Sequence, residues 1–155
     1  MDKIEWCFEK DKGIEIVETN SNLSKAYIKK AEESLETLHQ IENKDWKIST
    51  AYYTMYFSLY SIFMKIGVKC EIHSCSIEFM KVFLKDYFDK SDYMLLKNSF
   101  NARIDAQYYA DREVSKEIYN KTIKNTPQFL VKCKSVLEKL DQKSIQKIRN
   151  NLKNY

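Results

Sequence analysis

Glycine and proline are almost missing from this 155-residue chain, which holds two of the first and one of the second. Those residues punctuate strands and hairpins, so their scarcity disfavours a sheet protein of many tight turns and favours an all-α one. A Gly-rich phosphate loop is excluded as well, because Gly13 and Gly67 stand alone. A secretory signal is also lacking: no basic start leads into an apolar run with a small-residue cleavage site. Without an export signal, the four cysteines (Cys7, Cys70, Cys75 and Cys133) are expected as reduced thiols in the cytoplasm.

Charge is lacking over one long stretch. Between Lys47 and Lys65, seventeen residues from Ile48 to Met64 carry none. Nine of them bear a hydroxyl: Ser49, Thr50, Tyr52, Tyr53, Thr54, Tyr56, Ser58, Tyr60 and Ser61. A membrane-spanning helix needs roughly 20 mostly apolar residues, and unpaired hydroxyls in lipid are costly. A surface helix would show a charged face. The segment fits neither, so it reads as the central helix of a bundle contacted on several sides, with no membrane contact.

The remaining elements follow from periodicity and caps. Asp2 to Lys12 reads as a short helix stopped by Gly13 in the left-handed cap position, and Ile14 to Val17 as extended. The cluster Thr19-Asn20-Ser21-Asn22 offers caps for a first long helix with Leu23, Tyr27, Ala31, Leu35, Leu38 and Ile41 inward. Asp45 is expected to cap the central helix and Gly67 to end it. In that helix Tyr52, Tyr56, Leu59 and Phe63 form a bulky stripe, and Thr50, Thr54, Ser58 and Ser61 a small one. A loop through Cys70 and His73 leads to a third helix over 76–88, and Ser91 caps a fourth over 92–109. From Val114 to Leu140 the pattern is helical, with a break or kink expected at Pro127, and Ser144 starts a last short helix. This gives one domain over 1–155, with its core at about 23–140 and a basic helix at 144–153.

Net charge is +4, unevenly spread. Ten Lys/Arg against three acids from Lys116 onward give +7, which leaves −3 for the rest. Such an end attracts phosphates or an acidic partner protein, but a solvated face of terminal helices is the plainer reading.

The fourth helix holds the one anomaly. Tyr93, Leu96, Phe100, Arg103 and Gln107 share its face, so an apolar stripe runs into an arginine and an amide. One reading is an anion-binding groove, since guanidinium matches phosphate with two prongs. The other is a structural ion pair with an acid of another helix. His73 lies in Cys70-x-x-His73-x-Cys75, but zinc needs four ligands and no second pair follows, so no metal or cofactor is expected. His39 reads as a surface residue. Tyr53, off the bulky stripe, is the tyrosine of the central helix best placed for a groove.

The runs Ser49-Thr50-Ala51-Tyr52-Tyr53-Thr54-Met55-Tyr56, His73-Ser74 and Ala102-Arg103-Ile104-Asp105-Ala106-Gln107-Tyr108-Tyr109 resemble the HEPN domains of prokaryotes. The resemblance spans roughly Leu23 to Leu140. It implies an antiparallel up-and-down bundle, here of about five main helices plus short terminal ones, often homodimeric and often paired with a minimal nucleotidyltransferase. Many members are toxins that cut RNA without metal, using an Arg followed four to six residues later by a His. Here Tyr108 and Tyr109 stand in those places, and no His follows. A tyrosine with a pKa near ~10 is a poor proton carrier at neutral pH. The resemblance therefore implies a non-catalytic module binding a nucleotide, RNA or a nucleotidyltransferase through Arg103, Asp105, Gln107, Tyr108, Tyr109, His73 and Tyr53, within a toxin–antitoxin-like pair. In related systems the partner attaches AMP to a tyrosine near this motif, which makes Tyr108 and Tyr109 candidate acceptors. The alternative is a metal-independent ribonuclease in which His73 serves with Arg103.

Overall fold

The computed structural model describes residues 2–155. Among them are seven helices and one small sheet, an all-α bundle in which five main helices are flanked by short terminal ones. The helices are α1 (Lys3–Glu9), α2 (Ser21–Gln40), α3 (Lys44–Ile66), α4 (His73–Phe83), α5 (Lys90–Tyr108), α6 (Lys116–Lys139) and α7 (Gln142–Leu152). The uncharged stretch is the axis of the molecule: α3 buries residues on all sides and packs against α2, α5 and α6. Neighbours run antiparallel. Tyr53 of α3 meets Arg103 of α5 while Lys44 and Ala110 line one cavity, and Asp92 and Ser99 of α5 meet Lys132 and Thr122 of α6. No described helix is long and apolar enough to cross a membrane.

The buried hydroxyls of α3 are satisfied inside the bundle. Thr54, Ser58 and Ser61 donate to carbonyls three or four residues back, at 2.6–2.9 Å. Tyr56 and Tyr60 reach the backbone of Cys70, one donating to its carbonyl and the other accepting from its N–H. An unpaired buried hydroxyl costs about 1–3 kcal/mol, so this pairing is what lets a polar helix serve as a core.

Several boundaries move, each for a local reason. The cap of α3 is Asn43 rather than Asp45, that of α5 is Asp89 rather than Ser91, and that of α7 is Asp141 rather than Ser144. In each case the residue earlier in the chain places a side-chain oxygen on a free N–H. The third helix begins at His73, not Ser76, because Cys70 lies in a strand instead of a loop. That strand, β2 (Val68–Cys70), pairs antiparallel with β1 (Ile14–Ile16), with Ile14 opposite Cys70.

Gly67 ends α3 in the left-handed conformation, φ 79°, and a Cβ there would run into Arg149 and the Val17 carbonyl. Gly13 is different. Lys12 takes the positive φ, and Gly13 is required because a Cβ would strike the Cys7 carbonyl.

The expected break at Pro127 and the expectation of four free thiols both fail. Pro127 lies inside α6 without ending it. Thr126 and Asn125 donate side-chain hydrogen bonds to the carbonyls of Thr122 and Lys121, and Thr122, Thr126, Phe129, Leu130 and Cys133 are buried. That packing outweighs the ~3 kcal/mol a helical proline costs. Nor are all the cysteines free: Cys7 and Cys75 form a disulfide, whereas Cys70 and Cys133 are buried thiols. Sequence separation hid a pair that the antiparallel strands bring together.

Candidate functional site

Helical geometry builds the site from α3, α5 and the first turn of α4. Phe100, Arg103 and Gln107 share one face of α5, spaced by three and four residues. Tyr52 and Tyr53 face them from α3. The Arg103 guanidinium sits 5.1, 5.3 and 5.4 Å from the ring centres of Tyr52, Tyr53 and Phe100. Its Nη1 donates to the Tyr53 hydroxyl at 2.8 Å and to Gln107 Oε1 at 3.3 Å. The residue is only 7% exposed, its buried Nε has no partner, and no described carboxylate pairs with it. A charge held this way is costly, by several kcal/mol before compensation, and cation–π contact returns about 0.5–2.

His73 completes the cluster. Its ring stacks on Tyr56 with centres 4.1 Å apart, and Nδ1 lies 2.6 Å from the Tyr52 hydroxyl. Burial, and next the neighbouring Tyr56 phenol, push the Tyr52 phenol far above its ordinary value, so it keeps its proton. A fully buried phenol whose one partner is Nδ1 donates to it, which places the hydrogen of a neutral imidazole on Nε2. Burial first, and the Arg103 guanidinium second, lower His73 to about 4. His73 is thus neutral at pH 7 and keeps an N–H on its second ring nitrogen. Together with the amide of Gln107 and the hydroxyl of Tyr53, the cluster offers donors and one positive charge.

This shift carries a pH dependence. Between 4 and 6.5 the unfolded chain binds a proton at His73 that the folded one does not. Stability from this group is therefore complete above 6.5 and lost as pH falls toward 4. Chemical denaturation across this range should show that loss, and His73→Gln should flatten it. An unchanged slope in the variant would remove His73 as its source.

Of the residues singled out from sequence, the structure joins Arg103, His73, Tyr53 and Gln107. Asp105, Tyr108 and Tyr109 lie apart. Asp105 accepts from Arg112 at 3.0 Å, and Arg112 stacks 3.6 Å from the Tyr109 ring centre. Two residues along a helix turn the side chain roughly 200° away, so Asp105 faces away from the Arg103 stripe. Tyr108 is 69% exposed at the end of α5. A 930 Å³ cavity that Arg112 helps line, with Lys44, Lys116 and Tyr119, belongs to this second cluster. Neither this cavity nor the grooves along α5–α6, α2–α6, α4–α5 and the start of α7 are lined by Arg103 or His73. Tyr52, Tyr56 and Phe100, read as core, turn out to touch the site as well. The surplus of hydroxyls on α3 was the available signal for the two tyrosines.

No protein-family model matches the chain, and no curated protein matches it either.

Proposed function

We propose that this chain is a HEPN-like helical module, non-catalytic, whose Arg103 site binds the phosphate of a nucleotide or RNA, or a phosphate-bearing face of a nucleotidyltransferase partner in a toxin–antitoxin-like pair. One observation carries this: a buried guanidinium with an unpartnered Nε and no carboxylate. Internal charges are normally neutralised by a partner, and an oxyanion is the chemistry that would neutralise this one. The His73 Nε2–H and the Gln107 amide support the reading, since an anion takes donors and the carboxylate of Asp105 is engaged elsewhere. Homodimerisation belongs to the same proposal, supported by the half-buried rings of Tyr53, Phe57 and Tyr27 along α3 and α2. A cytoplasmic address fits the proposal with the Cys7–Cys75 bond reversible, since reducing pools keep cytoplasmic thiols free.

The ribonuclease reading has one observation in its favour: folding does bring His73 beside Arg103, with Tyr52 touching both. The tautomer weighs against it, because an Nε2 that already carries hydrogen is a donor rather than a base.

A single titration separates the two. AMP, ATP and short end-labelled RNAs are added to the purified protein without metal, and binding and cleavage are followed together. Binding without cleavage, weakened about tenfold or more in Arg103→Ala, is the expected result, since hydrogen bonds to charged groups contribute about 1.5–3 kcal/mol. No binding, or binding unaltered in Arg103→Ala, removes the site. Metal-free cleavage lost in both Arg103→Ala and His73→Ala would establish the enzyme instead.

A further inference from the structure

The N-terminal segment is crosslinked to the helix that begins with His73. α1 has seven residues, too few for a helix to persist alone. It docks through buried Ile4 and Cys7, with Phe8 stacked on Tyr155 and edge-on to Phe83. Cys7 is bonded to Cys75 in the first turn of α4, two residues beyond His73. That turn has no side-chain cap. Its N-cap is Ile72, whose carbonyl accepts from the backbone of Cys75 and Ser76 at 2.9 and 3.0 Å. The disulfide is therefore the one crosslink at the first turn of α4, the turn that carries the imidazole and that Ser76 also ties to the carbonyls of Cys70 and Ile72.

We propose that the redox state of Cys7–Cys75 gates the Arg103 site. Bonded, it holds His73 on Tyr52 and Tyr56, within the cluster that surrounds the guanidinium. Reduced, α1 lifts, the first turn of α4 loosens, and the site loses the imidazole. The gating of a phosphate ligand rests on the function proposed above; the control of His73 does not.

The reductant is a dithiol. One of its thiolates attacks a sulfur of the pair and expels the other, which takes up a proton. Its second thiolate then displaces the protein sulfur from the mixed disulfide, and that sulfur is protonated in turn. Two electrons and two protons pass to the protein, and the dithiol closes into its own disulfide. Both protein sulfurs belong to fully buried residues, so attack follows local opening of the N-terminal segment. Cys70, whose thiol donates to the same Ile72 carbonyl at 3.4 Å, does not compete. Burial raises its pKa, which keeps it a protonated, unreactive thiol.

The test compares the oxidised protein with the same protein in excess dithiothreitol. Pyrophosphate binding is read by calorimetry, and the His73 ring by NMR titration. Reduction should weaken pyrophosphate at least tenfold and move His73 from about 4 toward its ordinary 6.5. The double variant Cys7→Ala/Cys75→Ala should match the reduced form. If circular dichroism finds either form unfolded, the same two readouts are taken with sarcosine added, which restores compact states. Unchanged affinity and an unchanged ring titration in the folded, reduced protein overturn the proposal. Should neither form bind pyrophosphate, the phosphate reading fails by itself. The ring titration still decides the coupling: a shift on reduction upholds control of His73, and no shift ends it.

Discussion

Reducing the Cys7–Cys75 bond is expected to lower the unfolding free energy by about 4 kcal/mol. The sequence separation is 68 residues, so the bond closes a loop that spans α1, the sheet, α2 and α3. Loop-closure entropy grows slowly with length, and at this length it lies well above the contribution of any single surface pair in the molecule. The loop-closure part of this loss acts on the unfolded chain, and the release of α1 on reduction adds the loss of the packing of Ile4 and Phe8. For a chain of this size the melting temperature should drop by roughly 8–16 °C. Thermal melts with and without reductant measure it. A shift of a degree or two would mean that the unfolded chain is already confined, and the entropic account would fail.

Replacing Arg103 with methionine should make the fold more stable while removing the anion site. The side chain gives up two Nη1 hydrogen bonds, to Tyr53 and Gln107, and its contact with three rings. Tyr53 is half-buried and Gln107 exposed, so water can re-pair both. Against that loss stand an orphaned Nε and a desolvated charge without a carboxylate. The orphan alone costs about 1–3 kcal/mol and the charge several more. Methionine fills similar space between aromatic rings without either penalty. The balance favours the variant by about 1–3 kcal/mol, readable as a higher denaturant midpoint at unchanged slope. A variant less stable than the parent would show that the guanidinium serves packing, and the site would lose its main support.

Patterning carried the architecture because it is local. The seventeen-residue uncharged stretch is the axis, Gly67 ends it, and Asn20 caps α2, each from the chemistry of neighbouring residues. Where sequence misled, a distant contact outweighed a local rule. Pro127 stays helical because buried neighbours hold α6 against α3 and α5, and Cys70 is extended because β1 supplies its partner. Cap positions slipped by two or three residues where an earlier Asn or Asp reached the free N–H first.

The candidate site divides the same way. Periodicity alone put Phe100, Arg103 and Gln107 on one face of α5 and set Tyr53 apart from the bulky stripe. Periodicity could not say that Arg103 lacks a carboxylate, because six of the seven helices carry acids and only packing decides which of them reach it. It could not bring His73 from the start of α4 to Tyr52, or join two cysteines 68 residues apart. Helix spacing is set by the backbone over a few residues. Charge neutralisation, tautomer and crosslink depend on contacts between segments far apart in the chain, and those exist only once the bundle has closed.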